Sequence, residues 1–366
     1  MTPLAKMEQF GHEEVIFCQN KDVGLRAIIA IHDTTLGPAL GGTRMWPYPT
    51  EEEALLDALR LSRAMTYKAA AAGLNLGGGK AVIIGNPKKD KSEALFRAFG
   101  RFVESLKGRF ITGEDVGTDV NDIEYMYMET RYVSGLSPAH GGGGDPAPVT
   151  AFGVLQGMYA CVQEKLGRDS LKGLSVAVQG LGQVGFNLAA RLVEEGVHVI
   201  GADIDPEKVE RARSELKIEI VSPEEIYDVE ADIFAPCALG AILNDQTIPR
   251  MKVKIIAGAA NNQLEEDRHG VELHRRGILY APDYVINAGG LINVYVELEG
   301  YDRERALRMT RGIYYNLRRV FDISRQENIP TFQAADRLVE ERIAMVRRLK
   351  SMYTGQAVHR FRWEMR

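Results

Sequence analysis

The chain has 366 residues, of which 45% are hydrophobic and 26% charged, with a net charge of -5 at pH 7. That is the balance of an ordinary soluble protein with room for two domains. No basic block or aromatic-interleaved basic stripe occurs, no apolar run reaches membrane-spanning length and no signal-peptide core opens the chain, so neither nucleic acid nor membrane is an expected partner. Cys18, Cys161 and Cys237 are too few and too far apart for a disulfide framework, and the default location is cytoplasmic. The seven histidines are scattered without zinc spacing and read as surface or packing residues, so no metal is expected.

In chain order, 25–32 (LRAIIAIH) and 80–84 (KAVII) read as strands, with a long Ala/Leu-rich helix over 52–72 between them. Ser92 caps a helix in which Leu95, Phe96, Phe99, Val103 and Leu106 share a face. The string HGGGGDPAP at 140–148 marks a hinge or domain boundary. Beyond it, Thr150 to Lys165 reads as a helix, Leu174 to Val178 as a strand, Phe186 to Leu192 as a helix and Val197 to Ala202 as a strand. Asp205 and Pro206 open a helix over 206–216, and Ser222 with Glu225 forms a capping box for a short one. Asp232 to Cys237 and Val253 to Ala257 are further strands, and the alternation predicts a mostly parallel sheet covered on both faces. Tyr284 to Ala288 leads through Gly289 and Gly290 into a helix. Helical segments over 304–325 and 331–352 follow, then a tail over 353–366.

The most specific signal lies at 171–203. Gly180, Gly182 and Gly185 form a G-x-G-x-x-G turn between a strand and a helix, with Asp203 at the end of the next strand. The first glycine suits a tight turn, the second lets backbone amides approach a pyrophosphate, and the third brings helix and strand together. Asp203 can accept hydrogen bonds from an adenosine ribose and would repel the extra phosphate of NADP, so NAD is the expected cofactor.

Three polar clusters precede the hinge: Gly41 to Arg44, Lys68 to Lys80, and Gly113 to Thr118. The run ending in Gly79-Lys80 fails as a phosphate loop, because Leu74 replaces the first glycine and Ala81 the Ser or Thr. HGGGG at 140–144 resembles an esterase oxyanion loop, but no G-x-S-x-G nucleophile accompanies it. By pattern alone Lys68 reads equally as a solvated helix lysine and Asp115 as a turn acid. Asn262 reads as a cap for a helix near Gln263, and Gly77 to Gly79 as a turn or a place where backbone meets a ligand.

Long strings spanning the chain go further: PALGGTRMW at 38–46, MTYKAAAAGLNLGGGKAVIIG at 65–85, EDVGT at 114–118, GDPAPVTAFGV at 144–154, APCALGA at 235–241, AGAANNQL at 257–264 and APDYVINAGGLINV at 281–294. On these the chain resembles the glutamate/leucine/phenylalanine/valine dehydrogenase superfamily, its leucine dehydrogenases above all. The resemblance implies an α/β protein of two domains separated by a cleft. These are a substrate-binding, catalytic domain over 1–145 and a Rossmann-type NAD-binding domain over 146–330, with a C-terminal helical segment over 331–366 returning to the first. The implied reaction converts an L-amino acid, NAD+ and water to the 2-oxo acid, ammonium and NADH. The implied assembly is a homo-oligomer, commonly an octamer.

Mapped onto matching positions, Lys80 resembles the catalytic lysine and Asp115 the acid that moves protons at the amine. Lys68 and Asn262 resemble the carboxylate-binding groups, and Gly42 lines the site. Cofactor contacts are implied at Gly180, Gly182, Gln183, Val184, Gly185, Asp203, Thr150, Cys237, Ala238 and Asn261. Leu40, Gly113, Leu291 and Val294 are implied around the substrate side chain. All four lack charge, which suits leucine, valine or isoleucine better than glutamate, although Leu291 and Val294 also read as core packing. Gly113 with Leu291, RAFGRFVESLKGRF at 97–110 and GGGG at 141–144 resemble phenylalanine dehydrogenases instead, so phenylalanine or a broad apolar range is the alternative. A non-catalytic NAD-binding regulator would account only for the residues after the hinge.

Overall fold

The computed structural model describes residues 2–349, and the tail over 353–366 lies outside them. The architecture is α/β in two compact units. The first comprises the described residues up to Gly144, Val294–Arg303 and the described residues from Glu341; the second comprises Asp145–Asn293 and Glu304–Glu340. The first boundary thus falls inside the glycine–proline string. The later segment that joins the first unit is split, beginning with a short piece at 294–303 rather than at 331. Among the described residues no helix is long and apolar enough to cross a membrane.

The first unit contains α1 (Pro3–Phe10), β1 (Glu14–Asn20), β2 (Leu25–Asp33), β3 (Ala39–Leu40), β4 (Thr43–Trp46), α2 (Glu51–Ala71), β5 (Gly77–Ile84), α3 (Glu93–Ser105), β6 (Phe110–Ile111) and α4 (Val120–Tyr127). Its sheet runs β1-β2-β5-β3-β6, with β4 also paired to β5. β1, β2 and β5 are antiparallel neighbours, whereas β3 and β4 run parallel to β5. The apolar run of β2 follows from burial on both faces. Leu25, Ala27, Ile29 and Ile31 join the core formed with Phe96, Phe99 and Val103 of α3, while Ile28 and Ala30 join Leu55, Ala58 and Leu59 of α2. Each large side chain so buried contributes about 1.5–3 kcal/mol. Ser92 caps α3 as expected, accepting the Leu95 N–H at 3.2 Å. Thr50 does the same for α2 with Glu53, and Glu51, Glu52 and Glu53 complement the positive end of that helix.

Gly77 to Gly79 form no turn; they are the first residues of β5. A Cβ on Gly78 would lie 2.2 Å from the Thr66 backbone nitrogen in α2, and one on Gly79 would lie 2.6 Å from the Phe110 ring. The glycines let α2 and Phe110 close on opposite faces of the strand that carries Lys80.

The second unit is built from α5 (Ala147–Leu166), β7 (Ser175–Gln179), α6 (Gln183–Glu194), β8 (His198–Ala202), α7 (Pro206–Leu216), β9 (Glu219–Ile220), β10 (Ile233–Pro236), β11 (Ile255–Ile256), α8 (Asp267–Arg275), β12 (Leu279–Tyr280) and α9 (Asp283–Ile286). Then come α10 (Gly289–Leu298), α11 (Arg303–Thr310), α12 (Gly312–Glu327) and α13 (Thr331–Leu349). The sheet order is β12-β11-β10-β7-β8-β9, with every pairing parallel. This is the doubly wound Rossmann order, and its switch point lies between β7 and β10. Asp205 caps α7 through the Glu207 N–H. Ser222 and Glu225 exchange the expected reciprocal bonds, though the segment they open is a single 3-10 turn, Glu225–Tyr227. The helix expected over 304–325 is two helices, and α10 begins on its two glycines rather than after them. A Cβ on Gly289 would lie 2.5 Å from the Val149 carbonyl oxygen, so α10 starts where only bare backbone fits against α5.

Candidate active site

In the first unit, parallel pairing of β3 and β4 with β5 gathers five of the expected residues. Leu40 on β3 is aligned with Gly78 and Ile111 and is buried. Gly42, between β3 and β4, abuts the Asp115 loop so closely that a Cβ would lie 2.4 Å from the Glu114 carbonyl oxygen and 3.0 Å from the Asp115 Cβ. Gly113 accepts the Thr43 N–H at 2.8 Å, and a Cβ there would lie 2.9 Å from the Ser134 hydroxyl. Lys80, only 5% exposed, places its Nζ 3.0 Å from Asp115 Oδ2. Lys68 stands in the last turn of α2, half-buried.

Burial pushes the Lys80 ammonium below the usual lysine range. The Asp115 carboxylate opposes that shift, and the Arg44 guanidinium adds to it. For Asp115, burial alone would raise the carboxyl, but the positive charges of Lys80 and Arg44 outweigh it and the group is held below its ordinary value. The arrangement sets a buried ammonium within hydrogen-bond reach of a carboxylate, the geometry that a proton-transfer pair requires.

Sequence reasoning named Arg44 without a role and missed what surrounds it. Arg44 Nε donates to Asp115 Oδ2 at 2.8 Å, Nη1 donates to Asp57 Oδ2 at 3.0 Å, and the Tyr48 hydroxyl donates to the same Asp57 oxygen at 2.5 Å. No periodicity links Arg44, Tyr48, Asp57 and Asp115, so only the fold reveals the group. Glu297 was also missed. It is buried near the end of α10, and its carboxylate accepts the backbone N–H groups of Gly135, Leu136 and Gly143, tying down the loop that holds the HGGGG string. A lone acid inside the apolar stretch LINVYVEL was the available signal.

In the second unit the glycine turn sits at the switch point. Gly180 has φ +97°, and a Cβ there would meet Ala238 at 2.8 Å; one on Gly185 would lie 1.8 Å from the Gly180 carbonyl oxygen. Gly182 is the N-cap of α6 with no side-chain cap, and the space beside it is open. The first amides of α6, at Gln183 and Val184, therefore present a positive helix terminus to an anion. Asp203 uses one oxygen to accept the Leu181 N–H at 2.7 Å and the other for the Asp205 N–H at 2.9 Å. Both oxygens keep a lone pair for a ribose hydroxyl. Asp203 lines a cavity of about 690 Å³ with Ile204, Pro206, Ile220 and Val221. An uncapped helix end, an acid and an open recess of mixed polar and apolar lining in this order fit a dinucleotide.

Cys237 is half-buried beside Gly185, and Ala238 is exposed at the end of β10. Thr150 donates to the Pro146 carbonyl in the first turn of α5 and faces Gly290. Asn261 Oδ1 accepts from the Asn287 amide at 2.8 Å. Asn262 caps no helix: α8 begins at Asp267, and Asn262 sits in the left-handed region with φ 50°. That conformation is uncommon outside glycine and concentrates at functional turns. Leu291 and Val294 lie one turn apart on α10, Leu291 buried and Val294 half-buried.

Comparison with known proteins matches residues 12–132 to the family described as Glu/Leu/Phe/Val dehydrogenase, dimerisation domain. Residues 203–345 match the family described as Glutamate/Leucine/Phenylalanine/Valine dehydrogenase. A leucine dehydrogenase of Geobacillus stearothermophilus is 60% identical over 353 residues, covering 96% of each chain. A phenylalanine dehydrogenase of Caldalkalibacillus thermarum is 52% identical over 348 residues, covering 94% of each. The crystal structure of an L-tryptophan dehydrogenase from Nostoc punctiforme superposes with a TM-score of 0.86 at 51% identity, covering 95% of this chain and all of that one.

Proposed function

The chain belongs to the Glu/Leu/Phe/Val dehydrogenase family, and from that premise we propose an NAD-dependent oxidative deamination of leucine-type apolar L-amino acids to 2-oxo acids. The observation that carries the chemistry is the buried Lys80 ammonium on the Asp115 carboxylate, 3.0 Å apart. The leucine preference rests on the greater identity to the leucine enzyme, 60% against 52% for the phenylalanine enzyme.

The resemblance assigns carboxylate binding to Lys68 in the first unit and to Asn262 in the second, and a held carboxylate fixes the alpha carbon and converts binding energy into orientation. NAD+, when bound on the amides of α6 with its ribose on Asp203, supplies the hydride acceptor. Oxidation of the amino acid leaves an iminium, whose carbon water must attack. Lys80, held below the ordinary lysine range by burial, takes a proton from that water. It hands the proton across 3.0 Å to Asp115, which passes it to the amine nitrogen so that ammonia departs. Neutral again, Lys80 takes the remaining proton from the carbinolamine hydroxyl as the carbonyl forms and ends as the ammonium, and reductive amination runs the same steps backward. The resemblance assigns Leu40, Gly113, Leu291 and Val294 to the substrate side chain, and all four lack charge.

The direct test is NADH formation with leucine, valine, isoleucine, phenylalanine, tryptophan, glutamate and 2-hydroxyisocaproate in parallel. Leucine, valine or isoleucine is expected to turn over with the highest kcat/KM and the hydroxy acid not at all. Phenylalanine leading would favour a second reading, which the 52% identity to a phenylalanine dehydrogenase and the pair Gly113 and Leu291 support. Silence with every amino acid from protein that binds NADH would leave a non-catalytic NAD-binding protein. The assembly we propose is a homo-oligomer, with the octamer as the size to test by light scattering. The dimerisation-domain match supports it, as does the outer edge of β1, which pairs with no strand among the described residues and leaves Phe17 exposed.

A further inference from the structure

We infer that Arg44 is a positioning residue for the proton-transfer pair, clamped from behind by Asp57 and Tyr48. The inference rests on the reading that Lys80 and Asp115 move the protons.

The geometry is specific. Lys80 Nζ and Arg44 Nε both reach the same Asp115 oxygen, Oδ2, at 3.0 and 2.8 Å. A guanidinium suits this place because its planar fork spans two carboxylates with fixed angles, Nε to Asp115 and Nη1 to Asp57. A lysine ammonium has no such fork. Asp57 is in turn held by Tyr48, so the chain of contacts runs from α2 and the loop before it, through Arg44 on β4, to the acid.

The strand alternation explains why Arg44 reaches this place. Thr43 and Met45 are buried, Arg44 is half-buried and Trp46 is exposed, while pairing with β5 sets Arg44 opposite Val82, two residues beyond Lys80. The outer side of Arg44 lines a cavity of about 440 Å³ with Trp46, Tyr48, Asp57, Arg60 and Val116. A small cation could enter there if the side chain were cut back.

Arg44 also acts through charge. Among the described residues, the charges that act on the Lys80–Asp115 pair include Arg44 from β4 and Asp57 from α2, with Tyr48 from the intervening loop acting on Arg44. Arg44 keeps its proton near neutrality, and its charge favours the Asp115 carboxylate. It also disfavours the Lys80 ammonium. Removing it raises the pH at which Lys80 becomes a free base.

The test compares Arg44→Gln, Arg44→Lys, Arg44→Ala and Asp57→Asn in oxidative deamination of L-leucine across pH, with NADH binding and circular dichroism measured on each. Arg44→Gln is expected to lose about 10- to 100-fold in kcat. Its KM for leucine should change little, and the acid limb of its kcat profile should move to higher pH. Asp57→Asn should move the same limb less, Arg44→Lys should recover part of kcat, and added guanidinium ion should partly restore Arg44→Ala. An unmoved acid limb in Arg44→Gln, whatever its kcat, overturns the inference. So does a wild-type kcat in that variant. If Arg44→Gln does not fold, the acid limb of Asp57→Asn decides by the same criterion. Lys80→Ala measured alongside keeps the two readings apart: full turnover there sinks the Lys80–Asp115 assignment itself.

Discussion

Both units place a glycine-rich string beside their chemistry, and the two strings do opposite things. In the first unit Gly77 to Gly79 lie within a strand, and their missing side chains are filled by neighbours, Thr66 of α2 on one face and Phe110 on the other. Glycine there is a volume device that seats Lys80 in a closed core. In the second unit Gly180 and Gly185 are filled in the same way by Ala238 and by the backbone of the turn itself, but Gly182 faces open space at an uncapped helix end. That opening suits an anion. A glycine string is therefore a ligand site only where one glycine has nothing against it and a helix terminus behind it.

The sharpest break of the comparison is Lys80→Ala. If the closed string exists to seat a proton-transfer group, this change should lower kcat for leucine by about 100- to 10,000-fold. NADH affinity, which belongs to the other unit, should stay within a few-fold. Steady-state kinetics paired with NADH titration measures both, and a loss confined to NADH affinity would reverse the division of labour.

The next contrast lies within the glycines. Gly78→Ala would put a carbon 2.2 Å from a backbone nitrogen and Gly185→Ala one 1.8 Å from a carbonyl oxygen. Each should destabilise the protein by about 1–3 kcal/mol or more, as overpacked cores do. Gly182→Ala should leave the unfolding midpoint nearly unchanged, since its backbone (φ -66°) suits any residue and nothing lies within reach, and should weaken NADH binding alone. Denaturant midpoints for the three variants rank them. A Gly182→Ala midpoint as low as that of Gly185→Ala would show that the open glycine is structural after all.

How much of this was legible in the sequence differs between the units for the same reason. The strand, glycine turn, helix, strand and acid of the second unit are contiguous, and each local signal agrees with its neighbour, so the elements from β7 to α7 follow from pattern. The first unit assembles its site from β3, β4, β5 and the loop after β6, which meet only through parallel pairing across the sheet. The resemblance to a family supplied Lys80 and Asp115, but neither the Arg44 fork nor the Glu297 carboxylate leaves a periodic trace. Asn262 shows the limit from the other side. An asparagine before a polar stretch reads as a cap, whereas tertiary contacts, including the Ala241 N–H on its carbonyl oxygen at 2.7 Å, hold it in a left-handed turn. The short strands β3, β6, β9, β11 and β12 have two residues each, too few for alternation to register.

The smallest expected effect concerns how the closed unit is closed. Behind Gly78 and Thr66, two histidines that the sequence offers only as packing residues meet edge to face, His12 and His32, with ring centroids 4.8 Å apart. His12 Nε2 bonds the Ser62 hydroxyl at 2.7 Å and His32 Nδ1 the Thr66 hydroxyl at 2.8 Å, while His12 Nδ1 is buried without a partner. Burial, and then the neighbouring His32 ring, lowers His12 from 6.5 to about 4. Burial lowers His32 to about 4 as well, with Asp33 opposing and Arg63 adding to the fall. A ring lowered on folding takes up its proton more readily in the unfolded chain. The stability it confers is therefore complete above pH 6.5 and drains away as pH falls toward 4. Charging one such ring in place costs about 3 kcal/mol more than in the unfolded chain. Wild-type urea midpoints should thus decline between pH 7 and pH 4, and a His12→Gln, His32→Asn double variant should flatten that decline. The slope arises where α2 closes on β2 and β5. NADH binding by the second unit should therefore persist to lower pH than the proton-transfer activity of the first. An identical acid slope in the double variant would move the origin of the decline to the carboxylate ion pairs and remove the histidine seam from the account.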